Sequence, residues 1–193
     1  MAKVKYPSRQ FTCTSDRSEY VELVSAGGGI SGWFLKPNQG TDAKKRSAFE
    51  LLDFSVNGKS RKIRRSTGKT GQTYTVAMDE DDLRGDEPSK VIYTYRTITS
   101  KNSHVLFFDI EQPTKDFQAE FDYTNTEIAS VSTLDLVPSA RRPKIEHSPT
   151  GSGTRTVRLH TQGWMFPRSG VAFVWALKQA DAPVVSMPGV IGR

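Results

Sequence analysis

The sequence predicts an all-β chain: a two-layer antiparallel β-sandwich of about eleven strands with minimal helix, its topology jelly-roll-like or immunoglobulin-like. Three observations predict it. Apolar and β-branched residues alternate with period two along most of the chain. Turn signals recur at intervals of about 8–12 residues. No stretch holds apolar residues at helical spacing for several turns.

The elements follow in order. Short strands are expected at 11–14, 20–24 and 32–35, and a longer one at 48–56. Asn57-Gly58 closes the longer strand into a hairpin, because a type I′ turn needs positive φ at both central residues. The return strand covers 59–66, and the next covers 73–78. Residues 79–84 suffice for one helical turn. Residues 90–99 and 104–111 read as one hairpin around Lys101-Asn102-Ser103. After Pro113, Phe117, Ala119, Phe121 and Tyr123 alternate onto one face. Strands at 128–137, 144–146, 154–160 and 171–177 complete the set. One domain is expected over 1–178, since all-β units near 200 residues are common and bury a core without disulfides or metals. Residues 179–193 mix Pro183, Pro188 and Gly189 with Val184, Val185 and Ile191 without a period. They are expected to form a flexible or partner-packing tail.

The single cysteine excludes a disulfide framework. Cys13, in Phe-Thr-Cys-Thr, reads as a small buried hydrophobe, since no neighbour offers to stabilise a thiolate. No apolar run of signal-peptide or membrane-span length is present, so a soluble, cytoplasmic chain is expected. The net charge of +6 favours anionic partners.

That excess sits in one place. Lys59, Arg61, Lys62, Arg64, Arg65 and Lys69 fall within eleven residues that hold no acid. On a strand, Arg61, Ile63 and Arg65 face one way, and Lys62 and Arg64 the other. A strand with cations on both faces belongs at a sheet edge, where charge also blocks edge-to-edge association. The functional reading of the same cations is an anion-binding surface, which Arg141, Arg142 and Lys144 would extend if the fold brought them near. Ser66-Thr67-Gly68-Lys69-Thr70 looks like the end of a phosphate-binding loop. Ile63 stands where the motif needs its first glycine, however, and a strand follows rather than a helix. The acids at Asp79–Asp82 do not fit a calcium loop and are expected to be solvated or to pair with the basic hairpin. His104, His147 and His160 show no metal spacing, and no nucleophile elbow occurs. No metal, cofactor or catalytic residue is therefore assigned.

Trp175 alternates with Phe173 and Val171 and is expected in the core. Trp33 and Trp164 flank glycine turns and are candidates for an aromatic ligand surface, although Trp164-Met165-Phe166 equally suits a plug between sheets. The resulting expectation is a non-enzymatic binding, sensor or interaction module whose basic hairpin contacts an anionic ligand or an acidic protein. The alternatives are a nucleic-acid-binding protein and a shell-type assembly subunit, with oligomerisation through sheet edges or the tail. The second alternative has thin support, because the first eleven residues offer only Lys3, Lys5 and Arg9 as a basic arm.

Overall fold

A computed structural model describes residues 6–27, 29–37, 41–84, 88–135, 142–167 and 169–178. Strands dominate it, as the period-two pattern demands. Strand β1 (Ser8–Thr14) is followed by helix α1 (Arg17–Ala26) and by β2 (Ile30–Phe34), β3 (Phe49–Val56), β4 (Lys59–Ser60), β5 (Ile63–Thr67) and β6 (Gly71–Ala77). A single helical turn, α2 (Glu80–Arg84), precedes β7 (Val91–Thr97) and β8 (Val105–Asp109). The rest comprises β9 (Thr114–Lys115), β10 (Gln118–Asp122), β11 (Ile128–Asp135), β12 (Lys144–His147), β13 (Thr156–His160), β14 (Trp164–Met165) and β15 (Gly170–Leu177). The count exceeds the expected eleven because several strands are only two residues long. The strands are distributed over five small sheets, ordered β2-β1-β6-β5, β4-β3-β7, β10-β13-β12, β11-β15-β8 and β14-β9, where the sequence suggested two larger ones.

Residues 20–24 are helical rather than extended. Asp16 accepts hydrogen bonds from the backbone of Ser18 and Glu19, capping α1, and Gly27 ends it with a φ of 61°. The pairing of β1 with β2 explains why a helix lies there. The two strands are parallel, and a parallel pair needs a crossover that a tight turn cannot supply. Gly32 makes room for the packing, since a Cβ there would stand 3.2 Å from Val24 and 3.3 Å from Tyr20.

Asn57 and Gly58 have φ of 51° and 80°, and β3 pairs with β4 as a tight hairpin. The return strand then changes sheets. After two paired residues the chain leaves β3, and β5 joins β6 instead. The expected hairpin over 90–111 does not form either. A 3-10 turn at Lys101–Ser103 and a left-handed His104 swing the chain round, so that β7 pairs with β3 while β8 pairs with β15.

Buried residues fall into two clusters. The first gathers Phe11 and Cys13 of β1, Tyr74 and Val76 of β6, and Phe49, Leu51, Phe54 and Val56 of β3. The second gathers Val157 and Leu159 of β13, Val131 of β11 and Val171, Phe173 and Trp175 of β15. Phe117, Ala119, Phe121 and Tyr123 all pack on the second cluster, as their alternation predicts, and Trp175 lies within it. A chain of aromatic rings joins the two. Phe11 lies 5.1 Å from Tyr93, Tyr95 lies 6.1 Å from Phe108, and Phe108 lies 5.7 Å from Phe173. Glu111 adds a polar tie, accepting from Arg9 at 2.9 Å and from Ser31 at 2.6 Å.

Candidate functional site

The basic segment lies at a sheet edge, since β5 ends the order β2-β1-β6-β5. Alternation sorts its cations into two sets. Arg61 and Arg65 turn inward with Ile63, while Lys62 and Arg64 are exposed.

The inward set is built into the structure. Only 10% of the Arg61 side chain is exposed; its Nη1 lies 3.0 Å from Asp79 and its Nη2 lies 2.7 Å from Asp82. The single turn of α2 folds these acids back onto the basic strand, so the pairing suggested by the sequence does occur. Asp82 is itself buried and also accepts from the Asp79 backbone at 3.1 Å. Arg65 donates from Nε to Gln72 at 2.8 Å and from Nη2 to the Lys44 carbonyl. Gln72 in turn donates to the carbonyls of Ala43 and Lys45, and the Tyr74 hydroxyl donates to the Phe49 carbonyl. Burial pushes the Tyr74 phenol above its usual range. These two arginines fasten the strand edge to the loop before β3 and to α2: Arg61 is ion-paired, and the donors of Arg65 are engaged by neutral acceptors.

The outward set is different. Lys62 and Arg64 are exposed, as are Lys59 on β4 of the neighbouring sheet and Lys69 in the turn after β5, and none of the four forms an ion pair among the described residues. Arg64 stands opposite Thr75, and Ser66 opposite Thr73. Those threonines in turn stand opposite Gln10 and Thr12 of β1. Opposed residues share a face, so the outer face of this sheet presents Lys62 and Arg64 along one side with Ser66, Thr73 and Thr75 beside them, while Thr12 is buried. The Thr12 and Thr73 hydroxyls lie 3.0 Å apart. Helix α1 covers the far side over β2. A hollow of about 280 Å³ between Ser60, Lys62, Arg64, Thr75 and Asp79 opens next to the cations. Arg61 and its ion-pair partner Asp79 both lie in its wall.

The stretch from Ser66 to Thr70 is a turn between antiparallel strands, with the Gly68 amide donating to the Gly71 carbonyl at 2.9 Å. It has none of the strand-to-helix geometry of a phosphate loop.

The other candidate residues that the structure describes lie on other elements. Arg142 precedes β12, in the part of the chain built on the second cluster, and is exposed. Arg141 lies outside the described residues. Trp33 is half-buried, its ring packing 4.4 Å from Phe49, 5.0 Å from Tyr95 and 6.0 Å from Phe11 at the margin of the first cluster. Trp164 is 49% exposed on β14, opposite Lys115, in a sheet separate from the one that carries Arg64. Its neighbour Met165 is the one that plugs the second core.

Cys13 is buried, and burial pushes its thiol up to about 11. His104 shares a 3.0 Å hydrogen bond with the Trp175 carbonyl. Among the described residues, no group of three or more His, Cys, Asp or Glu side chains is placed to hold a metal ion, and no helix is long and apolar enough to cross a membrane.

A second feature, with no signature in the sequence, is a cleft of about 1720 Å³ between the two clusters. Tyr93, Tyr95, Phe108 and Phe121 line it, as do Asp109, Glu111, Glu120 and Arg158. Burial and the charge of Glu111 raise the Asp109 carboxyl. The cleft arises because β7, β8 and β10 are each the last strand of a different sheet, so their partnering is decided by long-range pairing that local patterns do not record.

Compared with protein-family models, with curated proteins and with solved structures, the chain matches none.

Proposed function

We propose that the chain is a non-enzymatic binding module that holds a polyanion on the outer face of β5, β6 and β1. The observation that carries this reading is the sorting of the basic segment: Arg61 is ion-paired and Arg65 hydrogen-bonded inside the fold, and four cations remain exposed without an acidic partner among the described residues. Exposed unpaired cations in such density repel one another, and a partner that supplies negative charge relieves that repulsion. The hydroxyls of Ser66, Thr73 and Thr75 beside Arg64 suit the reading, because phosphate oxygens accept from Ser and Thr as well as from Arg and Lys. A lone buried thiol suits a reducing compartment, so the partner is sought among cytoplasmic polyanions.

The test compares the native chain with the combined variant Lys59→Gln, Lys62→Gln, Arg64→Gln, Lys69→Gln on immobilised heparin and on a short DNA duplex. The native chain is expected to bind both with an affinity that falls steeply with salt, and the variant to lose about ten-fold or more while unfolding at the same urea concentration. Equal binding by the two proteins, or no retention of the native chain at low salt, overturns the proposal.

A further inference from the structure

The cleft between the clusters is bordered by unpaired backbone. In β10, the Tyr123 amide donates to Arg155 and the Phe117 carbonyl accepts from Thr161, so the odd-numbered residues face β13. Amides and carbonyls of one residue point to the same side of an antiparallel strand. Gln118, Glu120 and Asp122 therefore point theirs outward, and no strand pairs with them among the described residues. Strand β7 ends its own sheet in the same way, and both strands line the cleft. Beside these edges lie Tyr93, 37% exposed, and Ile92, 45% exposed. Open edges next to exposed apolar side chains form a template for an added strand.

Several of the charges along the cleft are already paired. Glu120 bonds Arg158, Lys144 lies 2.6 Å from Glu146, Arg96 lies 2.7 Å from Glu50, and Arg9 lies 2.9 Å from Glu111. That compensation favours an uncharged occupant. The chain carries such a segment beyond β15. Strand β15 ends at Leu177, and the Lys178 amide donates to the Glu127 carbonyl at 2.8 Å, next to the cleft-lining Thr126. Residues 182–192 hold no charged side chain. Within them Val184-Val185-Ser186-Met187 is bracketed by Pro183 and Pro188, and proline cannot donate to a ladder, so the pairable length is limited to about that of β10. Four residues separate Lys178 from Pro183, a reach of roughly 16 Å when extended at about 3.3 Å per residue, and Lys178 is already bonded to Glu127 beside that edge.

We infer that the cleft is a strand-accepting groove whose occupant is this chain's own segment 183–188, added to the outer edge of β10. The site is separate from the basic face, and the two proposals stand or fall independently.

The experiment uses the full chain. Val185→Cys is combined with Gln118→Cys on the β10 edge, or with Ser132→Cys on the exposed side of β11, and each pair is treated with a short bismaleimide. The native Cys13 is buried and stays out of the reaction. The 118–185 pair is expected to cross-link within one chain at least ten-fold faster than the 132–185 pair. In parallel, the amides of Gln118, Glu120 and Asp122 are expected to be protected from hydrogen exchange, and Val185→Pro to abolish that protection. Equal cross-linking rates, cross-links formed mainly between two chains, or open-edge exchange at the three amides in the native chain would each overturn the inference.

Discussion

At the residue scale, charge alone does not say what a cation does; the face it occupies does. Arg61 and Arg64 are three positions apart in one basic run, yet one is 90% enclosed between two aspartates and the other is exposed. Removing one partner of a buried ion pair strands the other charge, at a cost of about 3–5 kcal/mol. Arg61→Ala is therefore expected to lower stability to urea by about 3 kcal/mol, whereas Arg64→Ala should change it by less than about 0.5 kcal/mol. Similar losses for the two variants would refute the sorting. Cys13 supplies a pH test. Its folded thiol sits near 11 against an ordinary value of 9.0, so the folded state prefers the proton. The stability this contributes is complete below pH 9 and is lost as the pH rises through 11. Tyr74 and Tyr95 are raised by burial and act in the same direction. The unfolding midpoint is expected to hold up to about pH 9 and to fall above it, less steeply in Cys13→Ala. A profile unchanged by that substitution would contradict the assignment.

At the element scale, what was legible in the sequence was local. Asn57-Gly58 marked its turn because the required φ values are a property of those two residues. Phe117 to Tyr123 showed its core face because alternation survives whatever strand lies beside it. Helix α1 was missed although Asp16-Arg17-Ser18-Glu19 carries an N-cap acid and an acid three residues on. Residues 20–24 suggested a strand instead, and α1 buries no residue fully, so it lacks the broad apolar stripe that identifies a helix. The pairing of β7 with β3 and of β8 with β15 was not legible, because a strand's alternation says which side is buried and not which neighbour it meets. Close approach between elements gives a stability test. A Cβ on Gly71 would lie 2.0 Å from the Cys13 carbonyl oxygen, a backbone atom that cannot turn aside. Gly71→Ala is expected to cost about 3 kcal/mol in urea unfolding. A change under about 1 kcal/mol would mean that β1 and β6 are less closely joined than the register indicates.

At the scale of the whole molecule, two clusters of buried side chains share one chain through an aromatic bridge, and the two candidate surfaces follow from that plan. The basic face belongs to the sheet over the first cluster, and the cleft belongs to the seam between the clusters. The basic segment was visible in the sequence as composition, and its edge position was visible as a consequence of having cations on both faces. The packing of Trp33 against Phe49 and Tyr95 was not visible, since it depends on strands that arrive from far along the chain. The central claim is that the outward cations, and not the inward ones, meet a polyanion. The most direct measurement is the slope of log K against log salt for binding to a DNA duplex, taken for the native chain, for Arg64→Gln and for Arg65→Gln. Each lost phosphate contact lowers the slope by about 0.9. The account expects that loss in Arg64→Gln and an unchanged slope in Arg65→Gln, while a loss in Arg65→Gln alone, or in neither, would contradict it.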